Sequence, residues 1–485
     1  GTSDTLTFSN GVSTAGGLMK LYKVQTASVS GTDGALTTNS VNVTVSPGAA
    51  ASLGLTAVSG TITAGNTDQL TITAYDAYGN TATSYTGDKT YTFAGANTIG
   101  SYHPTVTDKS NSTVNFGTAE TITFTNGVST AGGLMTLYQA ETASVTGNDG
   151  SLTTNALSVT VNSSSAVGLA LTAASGTVTA GITDQLTITA QDTYGNTATS
   201  YTGDKTVTFS GANSIGSYHP TVTDKSGTAV NFGTSETLTF TNGVSTAGGL
   251  MTLYKVENAS ITANDGTFTS NALAVTVSPA AAASLSLTAA AGSLTAGNTD
   301  QLTITAYDTY GNTATGYTGD KTITFSGANT IGTYHPTVTD KNAAAVNFGT
   351  SETLTFTNGV TTAGGLMTLY KAETASVSAT DGTFTSNTVS VTVNPGTAAG
   401  LNLTAVSGTI TAGATDQLTI TAQDTYGNTA TSYTGDKTIT FSGANSIGSY
   451  HPTVTDKSNT AVNFGTAETI TFTNGVSTAG GLMTL

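Results

Sequence analysis

The sequence predicts an all-β protein made of β-sandwich domains in tandem, and three observations predict it. A unit of 116 residues recurs along the chain: Asp-x-Tyr-Gly-Asn begins at Asp76, Asp192, Asp308 and Asp424, and all four histidines keep the same step. Within each unit, apolar residues alternate with Thr, Ser or Ala, the period-two signature of strands with one face buried. Between these runs stand "YGN", "TGD", "NDG" and "SG", turn signals in which Gly and Asn tolerate positive φ. No amphipathic helix pattern interrupts them.

The repeat sets the domain organisation. A period of 116 residues exceeds a solenoid coil, which runs about 20–45 residues, and fits one complete domain. Seams fall at "VSPGAAA" from Val45, "VNSSSAV" from Val161, "VSPAAAA" from Val277 and "VNPGTAA" from Val393. Residues 47–162, 163–278 and 279–394 are then whole repeats, 1–46 is the C-terminal part of one, and 395–485 is the N-terminal part of another. Short Pro/Gly/Ser/Ala seams leave little slack, so neighbouring domains are expected end to end in a rod. At about 3.3 Å per strand residue a domain is about 35–45 Å long.

Inside the first whole repeat the clearest strands are "LTITA" (70–74), "KTYTF" (89–93), "ETITF" (120–124) and "NALSVTV" (155–161). Seven or eight such strands in one unit make a β-sandwich. The longest connection between clear strands is 94–119.

Composition narrows the function classes. The 485 residues carry a net charge of −16, and all twelve basic residues are lysines, so no basic patch exists for nucleic acid or anionic lipid. Cysteine is absent, which excludes disulfides, thiolate metal sites and cysteine nucleophiles. Neither a signal peptide nor an apolar run of about eighteen residues occurs. An acidic, Thr/Gly-rich chain without Cys or Arg reads as a prokaryotic extracellular or cell-surface protein.

The stretch "TAGNTDQLTITAYDAYGNTATSYTGDKTYTFAGA" (63–96), with its "AG" turn, Asp-x-x-Gly-Asn turn and "TF" strand, resembles the bacterial Ig-like domains of invasin/intimin-type surface adhesins. "TSNALAVTV" (269–277) is similar to the last strand of such modules. The resemblance covers every repeat and implies Ig-like sandwiches in a stalk. The membrane-anchoring barrel and lectin-like tip of that family's full-length pattern are missing from this sequence, so receptor binding does not carry over.

Three constellations are candidates for chemistry. "GSYHPTVTDK" (100–109) gathers Ser101, His103 and Asp108, but Ser101 becomes Thr333 in the third repeat, which a serine nucleophile would not survive. One imidazole with one aspartate is also too few ligands for zinc. The histidine therefore reads as structural, and Tyr102, His103 and Pro104, with His219, His335 and His451, are expected to contact a neighbouring domain or chain. Second, Asp76, Asn80 and Asp88 lie close enough in sequence for a calcium site, although turn chemistry explains Asp-x-x-Gly-Asn by itself.

Third, strand parity turns Lys89, Glu120 and Asn155 toward the core, as it does Lys205, Glu236 and Asn271, then Lys321, Glu352 and Asn387. A lysine, an asparagine and a proton-shuttling carboxyl are what an intramolecular isopeptide bond needs. Burial would leave the amine uncharged to attack the amide carbon, and ammonia would leave. The competing reading is a Lys–Glu ion pair with an Asn turn at the sandwich rim. The sequons at Asn42, Asn111, Asn162 and Asn258 fall at non-equivalent positions and carry no pattern.

The chain begins and ends partway through a unit. It reads either as a window on a longer array or as a donor-strand system in which one chain's N-terminal strands complete another's last sandwich. These readings combine into a structural protein, not an enzyme, forming an extracellular fibre, stalk or filament whose partners are copies of itself. The competing expectation is a ligand-binding adhesin for carbohydrate or a host or cell-surface protein, with Tyr85 and Tyr102 as sugar platforms. No cofactor is expected, calcium being the one the acidic turns allow.

Overall fold

In the computed structural model, which describes residues 3–485, every regular element is a strand. The N-terminal part forms two antiparallel pairs. β1 (Thr7–Ser9) and β2 (Val12–Ala15) turn at Asn10-Gly11, both at positive φ, and β3 (Gln25–Val29) pairs with β4 (Val41–Val45). The first whole repeat supplies β5 (Ser52–Ala57), β6 (Thr61–Thr63), β7 (Thr67–Tyr75), β8 (Gly87–Ala94), β9 (Thr105–Thr107) and β10 (Thr113–Asn115). It continues with β11 (Ala119–Thr125), β12 (Val128–Ala131), β13 (Leu134–Thr136), β14 (Thr142–Asn148) and β15 (Leu157–Asn162).

These strands hydrogen-bond in the order β10-β9-β13-β7-β12-β11-β8-β14-β15-β6, with β5 on β7, and the same arrangement recurs in strands spanning 168–278 and 284–394. Within the unit every pairing is antiparallel except one. β6 runs parallel to β15, Thr61 opposite Thr160 and Thr63 opposite Asn162, so an early strand is tied directly to the last.

Alternation explains the core. On β7, Leu70, Ile72 and Ala74 are buried while Thr71 and Thr73 face outward; on β8, Tyr91 and Phe93 are buried; on β11, Ile122 and Phe124 are. Each large side chain removed from water contributes about 1.5–3 kcal/mol. Gly132-Gly133 lets one stretch of chain serve as β12 and β13, pairing first with β11 and then with β9. Both glycines have positive φ, and a Cβ on Gly132 would meet Ile122 Cδ1 at 2.7 Å.

The structure adds strands that the sequence pattern does not reveal. β9 and β10 lie inside the connection 94–119, and three-residue strands are too short to show a period. Eleven strands per repeat therefore replace the expected seven or eight. The C-terminal part has eight strands. There Leu401 and Leu403 are about half exposed, whereas their equivalents Leu53 and Leu55 are buried, because counterparts of β14 and β15 do not occur before Leu485.

Candidate functional site at the repeat junctions

The Asp-x-Tyr-Gly-Asn turn builds the most elaborate polar site in the chain, and each copy lies where one repeat meets the next. In the second repeat, Asp192 Oδ1 accepts the amides of Tyr194 and Asn196 at 2.9 Å each, which folds the turn around Gly195 at φ +94°. Asp192 Oδ2 accepts the amide of Ser164 in the seam at 3.0 Å and the Asn196 side-chain amide at 2.9 Å. Burial pushes the Asp192 carboxyl up, but these donors outweigh it and hold it below the usual carboxylate range. At Asp76 the Gly48 amide leads the same set of donors, and the carboxyl is lowered to about 2.

With Asp192 holding the turn, Asn196 reaches back across the seam. Its Oδ1 accepts the Ala140 amide at 2.6 Å, and its Nδ2 donates to the Tyr138 carbonyl at 2.7 Å. Asn312 grips Tyr254 and Val256 in the same way, Asn428 grips Tyr370 and Ala372, and Asn80 grips Tyr22 and Val24. The buried amide thus pairs with the backbone of the previous repeat as a strand residue would. The tyrosine of the turn completes the junction: Tyr194 packs on Tyr102 and Tyr138, with ring centroids 4.9 and 5.1 Å away.

Of the loop residues expected at a neighbour, Tyr102 faces the next repeat through Tyr194; Ile99, which was not among those expected, approaches Gly195. His103 and Pro104 are placed differently. Pro104 is buried in its own repeat, its carbonyl accepting the Phe116 amide, and His103 is exposed. His219 and His451 bond only to the local Ser214 and Ser446, while His335 is exposed with no such partner in its loop, where Thr330 replaces the serine. Tyr102 is thus occupied as a platform, and Lys89 Nζ lies 4.9 Å from the centroid of Tyr85, over its ring.

The isopeptide trio is dispersed. Glu120 points inward as parity predicts, but Lys89 sits over Tyr85, whose hydroxyl donates to Asp149. Asn155 is exposed and precedes β15. Its amide accepts from Leu55 N and donates to Leu55 O, holding the edge strand β5. Lys205, Glu236 and Asn271 follow the same plan, as do Lys321, Glu352 and Asn387: each lysine covers a tyrosine and each asparagine clasps Leu171 or Leu287. Parity misleads for Asn155 because the strand begins two residues later, at Leu157.

The glutamates are left with no partner. Glu120, Glu236, Glu352 and Glu468 are 5–6 % exposed, and each has at least one buried carboxyl oxygen without a hydrogen bond. The calcium candidates also separate. Asp76 is occupied by amides, whereas Asp88 pairs with Lys109 and accepts the Thr123 hydroxyl. Among the described residues no group of three or more His, Asp or Glu side chains is placed to hold a metal ion.

No protein-family model matches the sequence, and no curated protein matches it. Solved structures similar to the chain include the Escherichia coli adhesin FdeC, at 22% identity over 72% of this chain and 99% of that one, with a TM-score of 0.35. Invasin, described as a bacterial integrin-binding protein, is similar at 12% identity over 89% of this chain and 79% of that one, with a TM-score of 0.33. Domains 1–6 of the surface layer protein SbsC are similar at 16% identity over 90% and 50%, with a TM-score of 0.23. The fold itself stands on the strand pairing of this chain.

Proposed function

We propose that this chain is a structural repeat protein, not an enzyme, that acts as a fibre, stalk or filament on the outside of a prokaryotic cell. The observation that carries this reading is the junction: the same Asp, Asn and Tyr hold every seam, so each added repeat continues the array in the same geometry. Bending at a seam would strip Asn196 of two backbone partners and leave buried polar groups unpaired, at a cost of about 1–3 kcal/mol each. The surface suits an extracellular spacer, with few charges and many hydroxyls, and its partners are further copies of the chain.

Small-angle scattering and electron microscopy of the full chain test this. A narrow distribution of end-to-end distances, growing by about 35–45 Å per repeat, is expected. A broad distribution, with seams bent at all angles, would refute it.

A further inference from the structure

Three phenols meet at each seam that a whole repeat makes with the unit after it. Tyr102, Tyr138 and Tyr194 have centroid separations of 5.4, 4.9 and 5.1 Å. Tyr218, Tyr254 and Tyr310 form a second such group, and Tyr334, Tyr370 and Tyr426 a third. Tyr22 and Tyr78 make a two-ring version at 4.7 Å. None of these hydroxyls has a hydrogen-bond partner in the protein. All three positions are tyrosine in every copy, as Tyr85 and its equivalents are, while two other tyrosine positions drift: Tyr91 becomes Val207, Ile323 and Ile439, and Tyr75 becomes Gln191 and Gln423. The phenol is kept where it has no bond to make.

We propose that each seam is an oxidative cross-linking site, at which Tyr78, Tyr194, Tyr310 and Tyr426 are joined to a tyrosine of the preceding repeat as dityrosine. The oxidant is a peroxide acting through a one-electron catalyst of the peroxidase class. Each phenol loses one hydrogen atom from oxygen, the two radicals join through ortho carbons, and the displaced ring hydrogens return to the oxygens. Two tyrosines and one hydrogen peroxide thus give one dityrosine and two waters.

The surroundings favour this outcome. Tyr102, Tyr218 and Tyr334 are 37–39 % exposed, so the oxidant has a way in, and the ring of the next repeat is in contact. Tryptophan and cysteine, which would divert the radical, are absent, and Met135, Met251 and Met367 are buried. Coupling would turn a non-covalent seam into a covalent staple in a chain without disulfides. The proposal needs only the seam geometry, and rod stiffness is a separate measurement.

The test treats the dilute full chain with hydrogen peroxide and a haem peroxidase, followed by intact mass, dityrosine fluorescence and peptide mapping. The expected result is a loss of two hydrogens per seam, with links mapping to Tyr22–Tyr78 and to Tyr194, Tyr310 and Tyr426 bonded to the preceding repeat. The variant Y78F/Y194F/Y310F/Y426F should keep its sandwiches folded, with an unchanged far-UV circular dichroism spectrum, and lose these links. Absence of the mass loss, links only between chains or within one repeat (Tyr102–Tyr138), or undiminished coupling in the variant would overturn the proposal.

Discussion

The Tyr194 hydroxyl fills the space where Gly65 of the preceding repeat would carry a side chain. A Cβ built on Gly65 lies 1.9 Å from that oxygen, and one on Gly181 or Gly297 lies 1.8 or 1.9 Å from the hydroxyl of Tyr310 or Tyr426. Each glycine also has φ near +80°, so alanine meets both a steric and a conformational penalty there. Gly413 shares that φ but has nothing within 4 Å of its Cβ. Gly413→Ala should therefore cost only the conformational term, about 1 kcal/mol. Gly181→Ala should in addition displace Tyr310 and broaden the end-to-end distribution. Calorimetry with small-angle scattering separates the two, and equal effects from both substitutions would contradict the docking role.

Asn196→Ala removes the amide that spans the seam and leaves Tyr138 O and Ala140 N unpaired. The expected loss is about 1–3 kcal/mol for each buried group left unsatisfied, felt at the seam rather than within either sandwich. Hydrogen exchange should show the Ala140 amide opening faster while core amides of β7 and β11 keep their protection. Uniform loss of protection across both repeats would place Asn196 in the fold of its own domain instead.

Much of the fold was legible because alternation over five or more residues fixes which face is buried, as in 70–74 and 120–124. Short strands such as β9 were hidden, since three residues carry no period. The Asp-x-Tyr-Gly-Asn segment was readable as a turn from local chemistry. Its part in the seam was not, because Asn196 bonds to residues 56 and 58 positions away, and sequence spacing does not report that contact. Tyr102 was legible as a contact residue only through its place in a long connection. The tyrosines at 138 and 194 recur in every copy, whereas Tyr75 and Tyr91 do not, and that is the one signal the sequence held for them.

Acid should loosen the seams held by Asp76, Asp192 and Asp424. Asp192 and Asp424 are held below the usual carboxylate range, burial being outweighed by hydrogen bonds, and Asp76 is lowered to about 2. A depressed folded-state value means the stabilisation is present above about pH 4 and is lost as pH falls toward 2. Scattering between pH 5 and pH 2 should show flexible seams before the sandwiches melt. Asp192→Asn, with no charge to titrate, should weaken its own seam at pH 7 and remove that seam's share of the acid response.

Asn155 is engaged with Leu55 rather than with Lys89, so the intact mass of the chain should equal that of its sequence, with no ammonia lost. Asn271→Ala, which frees Leu171 N and O on an edge strand, should cost about 1–2 kcal/mol in denaturant unfolding of that repeat. A mass deficit of one ammonia per repeat in freshly purified protein would show that the trio does come together.

The buried glutamates give the array an opposite response at high pH. Glu120, Glu236 and Glu352 are raised to about 8 and Glu468 to about 7, first by burial and then by the nearby charges of Asp108, Asp224, Asp340 and Asp456. Each holds a proton in the folded chain that the unfolded chain releases near 4.5. The folded state therefore binds more protons across that window, and stability is fully present below about 4.5 and declines as pH rises through about 8. Replacing all four by glutamine keeps shape and removes the charge. At pH 4, below the unfolded value, the variant should be within about 1 kcal/mol of the parent, because an unpaired amide replaces an unpaired acid. At pH 9 it should be the more stable, since the parent then buries carboxylates with no donor. Melting curves from pH 4 to pH 9 decide this, and parallel pH profiles for the two proteins would show that these carboxyls are hydrated in solution.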